Sequence, residues 1–306
     1  MSQLLSASTV EASGRPILVT GGSGQLATAL AEAGGNRIRR VGRPEFDFDR
    51  SDSVEHTFHE TAPALVVNAA AYTAVDAAET NEAAAYRANR HGPALLARLC
   101  QQAEVPLIHV STDYVFDGLK GAPYVETDST APPGVYGASK LAGEVAVLAS
   151  CERAVVVRTS WVYAATGKNF VRTMLDAARK TNRLQVVADQ KGCPTAAVDL
   201  AATILAIIGL IEAQGWQQRF GGVFNAAGTG WTTWHGLACA VFDEAARHGL
   251  ARPEVFPITT ADWPTPARRP PDSRLDCGLL AATFGVALPE WRDGLARTID
   301  AIFAAP

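Results

Sequence analysis

Along the first half of the chain, short β-branched and aliphatic runs alternate with longer stretches whose apolar positions recur every three or four residues. Ile17–Thr20, Arg37–Val41, Leu65–Asn68, Pro106–Ser111 and Ala154–Thr159 are predicted strands, with Leu184–Val187 a further candidate. Between them, Gln25–Ala33, Ser51–Thr61, Ala83–Ala103 and Lys140–Ala149 have helical spacing. The run Leu65-Val66-Val67 is apolar on both faces, which fits a parallel strand covered from both sides. Repeated βα units of this kind predict an α/β fold: a doubly wound parallel sheet of the Rossmann type, with ligands at the carboxyl ends of its strands.

Beyond about residue 160 the alternation fades. Asn169–Arg179, Thr195–Ala213 and Thr233–Arg247 have helical spacing, Val223–Asn225 reads as a short strand, and a last helix starts near Trp291. Trp263–Pro271 (WPTPARRPP) carries four prolines and is expected to be an extended loop. The division this suggests is a flexible extension over residues 1–15 and a dinucleotide-binding domain over 16–165, to which parts of the later chain return. A smaller C-terminal α/β lobe over 166–306 would close the substrate pocket.

Composition narrows the class. Of 306 residues, 48% are hydrophobic and 19% charged, as in ordinary globular proteins, and the net charge of −4 gives no basic excess for nucleic acid or an anionic membrane. The five cysteines (Cys100, Cys151, Cys193, Cys239, Cys277) are scattered, odd in number and without a CxxC pair. They read as small buried hydrophobes in a reducing compartment, with no metal site and no disulfide framework. Met1–Arg15 lacks the basic start and apolar stretch of a secretory signal. The most apolar run, Ala201–Ile211, lies between Asp199 and Glu212 and is shorter than the roughly 18 residues a membrane span needs. A soluble cytoplasmic protein is expected, without nucleic-acid or membrane partners; a homodimer is left open.

The candidate chemistry begins at Ile17–Ala27 (ILVTGGSGQLA), a strand, a glycine-rich turn and a helix start. Gly21 permits the tight turn, Gly24 lets backbone approach a pyrophosphate, and the helix N-terminus offers free N–H groups. Its spacing, Gly-x-x-Gly-x-x-Ala, is similar to that of extended short-chain dehydrogenase/reductases. Ile38–Arg43 (IRRVGR) ends the second strand without an acid, so Arg43 is a candidate for a 2′-phosphate and NADPH is favoured, with NADH also open. Tyr136 and Lys140 form Tyr-x-x-x-Lys, and Ser111-Thr112-Asp113 closes the fourth strand. On a helix the two share a face, so the ammonium is expected to lower the phenol's pKa, while the Thr112 hydroxyl polarises a substrate carbonyl. Taken alone, Tyr-x-x-x-Lys also reads as a surface tyrosine near a solvated lysine.

The blocks VNAAAYTAVD (67–76), STDYVFDG (111–118), VYGASKLAGE (135–144), RTSWVY (158–163), NFVRTML (169–175), DQKGCPT (189–195) and ARRPPDSRL (267–275) resemble, in order, the signatures of dTDP-4-dehydrorhamnose reductases. The resemblance covers Pro16 to Trp291 and implies reduction of the C4 ketone of dTDP-4-dehydro-β-L-rhamnose to dTDP-L-rhamnose, in activated-sugar synthesis for cell-surface polysaccharide. It implies Tyr136 as proton donor to O4 and Lys140 as ribose-binding partner. Thr112 and Asp113 would bind the sugar, and Trp161 would pack on it. Cofactor contacts would fall to Gly24, Gln25, Leu26, Asp47, Phe48, Ala70, Ala71 and Tyr72. Asp47 has a second reading as N-cap of the following helix. Arg268 and Arg269 are candidates for the diphosphate in a lid-like loop, or simple surface charge. Some relatives carry an acid after the second strand and accept NADH, and some share a metal-bridged dimer. Here Leu26-Ala27-Thr28-Ala29-Leu30 carries no carboxylate, which leaves a structural Mg2+ open. Two other functions remain at this stage: a ketoreductase for a related deoxysugar or streptose-type sugar nucleotide, and a non-catalytic dinucleotide-binding regulatory subunit.

Overall fold

The computed structural model of the chain describes residues 14–304, so the extension expected over residues 1–15 lies outside the described residues apart from its last two. Strand β1 (Ile17–Thr20), helix α1 (Gln25–Gly34), β2 (Ile38–Val41), α2 (Ser51–Thr61) and β3 (Leu65–Asn68) follow one another. Short helices α3 (Val75–Ala78) and α4 (Glu82–Tyr86) lead through a π-helical turn, Arg87–His91, into α5 (Gly92–Gln102). Then come β4 (Leu107–Thr112), α6 (Val135–Ser150) and β5 (Ala154–Thr159). The second half carries β6 (Val162–Tyr163), α7 (Phe170–Ala178), β7 (Arg183–Val187), β8 (Lys191–Gly192), β9 (Thr195–Ala196) and α8 (Ala197–Gln214). It ends with β10 (Gly222–Asn225), β11 (Thr232–Thr233), α9 (Trp234–Ala246), β12 (Glu254–Ile258), α10 (Gly278–Phe284) and α11 (Trp291–Ala304).

Six strands pair in parallel in the order β2-β1-β3-β4-β5-β10. The winding reverses between β1 and β3, so their carboxyl ends open a crevice, the usual ligand position in such sheets. Alternate strand residues go to opposite faces. Ile17, Val19, Val67 and Ile108 pack with α1, α8 and α10 on one side, and Leu18, Val66, Leu107 and Val156 with α2, α5 and α6 on the other. Each such side chain contributes on the order of 1.5–3 kcal/mol by leaving water. A separate cluster joins α7, α9 and α11 with the parallel pair β7–β12. Helix α8, strand β10 and helix α10 belong to the large sheet's core although they follow residue 166.

Several boundaries differ from expectation. The long helix predicted over Ala83–Ala103 is broken by the π-turn, because Asn89 points inward to bond the Tyr72 backbone. Helix α6 starts five residues before Lys140. Helix α8 runs 18 residues, with Asp199 and Glu212 inside it, and is long and apolar enough to cross a membrane by length and composition. Its buried residues, Leu200, Ile204, Ile207 and Ile211 among them, lie in the core against α1. Helices α3 and α10 and strand β12 carry no strong periodicity and were not anticipated.

Helix α6 lies directly on backbone. A Cβ at Gly143 would stand 2.0 Å from the Asn89 carbonyl oxygen, whereas one at Gly209 on the exposed side of α8 would meet nothing within 4 Å. Gly143→Ala is therefore expected to destabilise the protein by roughly 1–3 kcal/mol through overpacking. Gly209→Ala should stabilise it by about 0.5–1 kcal/mol. Denaturant midpoints of the two variants test the pair, and equal midpoints would contradict the packing described.

Candidate active site

The glycine turn after β1 is shaped by contact with two neighbours. Gly21 has φ 114°, and a Cβ there would lie 3.0 Å from the Ala69 carbonyl at the end of β3; one at Gly42 would lie 2.5 Å from Gly22 Cα. The Gly22 N–H donates to Val41 O at 2.9 Å, locking the turn to β2. Helix α1 then begins after Gly24 with no side-chain cap and no acid in its first turn. Its first N–H groups, from Gln25 and Leu26 onward, fit an anionic pyrophosphate. Opposite, the Ala70 N–H donates to Thr20 Oγ1 at 3.2 Å, and Thr20 donates to Asn68 Oδ1 at 2.6 Å. The Tyr72 N–H and carbonyl are both held by the Asn89 side chain, at 2.8 and 3.1 Å. Ala70, Ala71 and Tyr72 thus form the wall facing the glycine turn.

Beyond β2, Phe48 packs edge-on to Phe46 and against Gly92, whose absent Cβ would lie 2.1 Å from the ring. Arg43 is exposed and donates to Asp47 Oδ1 at 2.9 Å and Asp49 Oδ2 at 2.8 Å. Asp47 is not the N-cap of α2: the cap position is Arg50, since the chain takes three further residues before its first helical turn. The Asp47 carboxylate instead orients Arg43 and accepts the Asp49 N–H.

Tyr136 is the second residue of α6 and Lys140 lies one turn on. Gly137 lets the helix sit on the Tyr114 carbonyl, 2.1 Å from where its Cβ would be. Lys140 is buried and donates to Val110 O at 2.6 Å. Burial brings its pKa down to about 8, with the Glu144 charge opposing. The half-buried Tyr136 ring stands edge-on to Tyr114. Its phenol is pushed up to about 12 by burial, against a hydrogen bond with Thr112 and with the Asp113 charge adding to the rise. The lowered phenol pKa expected from Tyr-x-x-x-Lys is thus corrected: desolvation and the Asp113 charge raise it, and the Lys140 ammonium is directed at a backbone carbonyl.

Thr112 donates to Asp113 Oδ1 at 3.0 Å, and Ser160 donates to Asp113 Oδ2 at 2.9 Å. Burial pushes the Asp113 carboxyl up to about 6, against hydrogen bonds from Ser273, Ser160 and Thr112 that pull it down. Behind these groups is a layer that the motif reading did not single out residue by residue. Glu144 takes Arg158 Nε at 3.0 Å, Arg158 Nη2 at 2.7 Å and the Ser111 hydroxyl at 2.5 Å, all buried. Its sequence signal is one arginine inside the apolar strand Ala154–Thr159. His109 accepts from Asn68 at 2.9 Å, and burial, helped by the Lys140 charge, keeps it neutral.

The geometry can be set beside known proteins. The model of the RmlD substrate binding domain matches residues 15–303. A dTDP-4-dehydrorhamnose reductase of Sinorhizobium fredii is 42% identical over 94% of this chain and 97% of its own length. One from Mycobacterium tuberculosis is 43% identical over 93% and 92%. The chain belongs to the dTDP-4-dehydrorhamnose reductase family. A crystal structure of a family member from Bacillus anthracis in complex with NADP superposes with a TM-score of 0.85 at 31% identity, covering 94% of this chain and 99% of that one.

Trp161 and the arginines of the proline-rich loop are the remaining residues that the sequence predicts for the site. Trp161 follows β5 in a left-handed conformation (φ 46°) and stacks on Trp234, with centroids 3.5 Å apart. A Cβ at Gly192 would lie 2.3 Å from its ring, so the indole is gripped and held half-exposed rather than lost in the core. Arg268 is exposed. Arg269 is instead bonded to both oxygens of Asp76, at 2.5 and 2.8 Å, and this holds the Asp76 carboxyl below the usual range. The two arginines therefore do not act as a matched pair, and the loop they sit on is fastened to α3.

Asp113 also gives a stability prediction. A carboxyl whose pKa rises from 3.8 to about 6 on folding favours the fold while protonated and loses that contribution as pH rises through 6. At neutral pH the ionised form costs about 3 kcal/mol at 1.36 kcal/mol per pKa unit. Asp113→Asn is expected to raise the thermal midpoint at pH 7–8 and to converge with the parent below the unfolded carboxyl's range, about pH 4. A constant gap across that interval would contradict it.

Proposed function

We propose that this chain is the NADPH-dependent reductase of the C4 ketone of dTDP-4-dehydro-β-L-rhamnose, giving dTDP-L-rhamnose in the cytoplasm for cell-surface polysaccharide. The observation that carries this reading is that Thr112 ends β4 while α6 opens with Tyr136 and Lys140, the lysine tied to Val110 O of that same strand. Gly21, Gly24, Gln25 and Leu26, with Ala70, Ala71 and Tyr72 opposite, would hold the dinucleotide, whose reduced nicotinamide would supply hydride to the carbonyl carbon. Thr112, whose one hydroxyl proton lies on Asp113 Oδ1, would turn it to the carbonyl oxygen to polarise it. Tyr136, fully protonated at neutral pH with a pKa near 12, delivers its proton to that oxygen as charge develops. An alkoxide is a much stronger base than a phenolate, so a weak acid suffices in this direction. Lys140 holds the ribose hydroxyls from the turn below.

Asp113, already aligned by Ser160 and Thr112, accepts from a sugar hydroxyl, and the open face of Trp161 covers the ring. Exposed Arg268 would meet the diphosphate, with Arg269 tying the loop beside it to Asp76. Asp47 and Asp49 aim Arg43 toward a cofactor 2′-phosphate, with Phe48 flanking the adenosine.

Consumption of NADPH by the purified chain with the dTDP-ketosugar tests the reading. Tight cofactor binding without turnover on any sugar nucleotide would point to a regulatory subunit instead. Tyr136→Phe should lower kcat by about 10²–10⁴-fold while NADPH affinity stays nearly intact. Unchanged turnover there would remove the phenol from the mechanism. Arg43→Asp should lower the NADPH-over-NADH ratio of kcat/KM by at least about tenfold, the equivalent of one charge-assisted contact of roughly 1.4 kcal/mol. A flat ratio would reassign the cofactor preference.

A further inference from the structure

We infer that Glu79 is a positioning residue for Tyr136: its carboxylate, from the turn that follows the cofactor-facing loop, caps and fixes the N-terminal end of α6. The inference rests on the function proposed above for Tyr136. The first N–H groups of any helix lack partners within it, and an N-cap side chain normally supplies one. Helix α6 has glycine at that position, so it has no capping side chain of its own. The Val135 N–H donates instead to Glu79 Oε1 at 2.8 Å, across 56 residues of chain. A Cβ on Gly134 would lie 2.6 Å from that oxygen. The carboxylate therefore takes the place a local cap would fill, and Gly134 is the residue that leaves room for it. A negative charge there also faces the positive end of the helix dipole.

Tyr136 is the very next residue, so displacement of the helix end carries the phenol with it. The middle of the helix is pinned by the Glu144–Arg158 pair and by Lys140. Its first turn has Gly137 resting on Tyr114 and the Glu79 hydrogen bond. Glu79 also sits on a turn with other duties. Three residues earlier Asp76 grips Arg269 and accepts the Ala267 N–H at 3.2 Å, and the Arg269 guanidinium feels the Glu79 charge as well. One short turn after Ala70–Tyr72 thus holds the helix bearing the acid on one side and the Trp263–Pro271 loop on the other. The two carboxylates should leave different kinetic signatures.

In the full-length protein, Glu79→Ala is expected to lower kcat on the order of 10–100-fold, the scale of a misplaced catalytic group, with NADPH Kd little changed. Glu79→Gln keeps an acceptor for the Val135 N–H and should restore kcat to within a few-fold of the parent. Asp76→Asn should act mainly on KM for the sugar nucleotide. A Glu79→Ala kcat within about twofold of the parent, or a Gln variant no better than Ala, would overturn the inference. If the Ala variant does not fold, Glu79→Asp, which withdraws the acceptor by one methylene, should show the same loss of kcat with cofactor binding retained; parental kcat in that variant would overturn the inference. Hydrogen exchange separates this inference from the function itself. In Glu79→Ala the Val135 amide should lose protection whether or not the parent turns over the ketosugar. Unchanged protection would defeat the role of Glu79, whereas a parent inactive on ketosugars would defeat the assigned reaction.

Discussion

The seating of α6 on bare backbone is the constraint from which the rest of the site follows. Side chains at Gly137 and Gly143 would run into the carbonyls of Tyr114 and Asn89, so this helix lies nearer the end of β4 and the π-turn than an ordinary helix could. That closeness brings Tyr136 to the Thr112 hydroxyl and sends Lys140 under the strand to Val110 O. The Asn89 backbone supports α6 while its side chain holds the Tyr72 backbone in the loop after β3. A single irregular turn, introduced by one buried asparagine, therefore sets the distance between the wall and the acid.

Burial at this depth carries a cost in charge. Lys140, Glu144, Arg158 and Asp113 are all nearly inaccessible to water. Glu144 and Arg158 satisfy each other through two hydrogen bonds, with Ser111 taking part and the guanidinium also lying over the Phe116 ring. Removing one partner of such a pair is far more damaging than replacing both. Lys140 and Asp113 are not paired in this way, and each has a pKa moved toward its neutral form by burial. Strain of this kind is retained at sites where it serves the chemistry and is offset by the apolar core around it.

Local signals in the sequence were sufficient for much of this. The glycine turn, the apolar strands and α2 are fixed by residues adjacent in the chain, and periodicity finds them. Elements decided by contacts across the fold were not legible. Ala83–Ala103 reads as one helix because nothing nearby announces that Asn89 must turn inward toward Tyr72. Helix α6 reads as starting late because Gly134 and Gly137 look like breakers, and its cap arrives from Glu79. Asp47 has the composition of an N-cap but lies too far before α2, and its bond to Arg43 is a property of the folded loop. The candidate site residues stand out by type and order, whereas the groups bonded around them, Glu144, Arg158, Ser160 and Ser273, do not.

The phenol shows why a motif does not carry its own electrostatics. Tyr-x-x-x-Lys places a cation one helical turn from a tyrosine, and in water that would favour the phenolate. Here both groups are desolvated, the lysine's proton is spent on a strand carbonyl, and Asp113 adds negative charge on the other side. Desolvation of the phenol and the Asp113 charge are what favour its protonated form. For an enzyme that withdraws protons from alcohols this would be a handicap. For one that reduces ketones the proton must be present before hydride arrives, and the base that receives it is an alkoxide. The same burial that keeps Tyr136 protonated in water leaves it a competent acid toward that alkoxide, while the balance between reduction and its reverse is set by the reactants and not by the pocket.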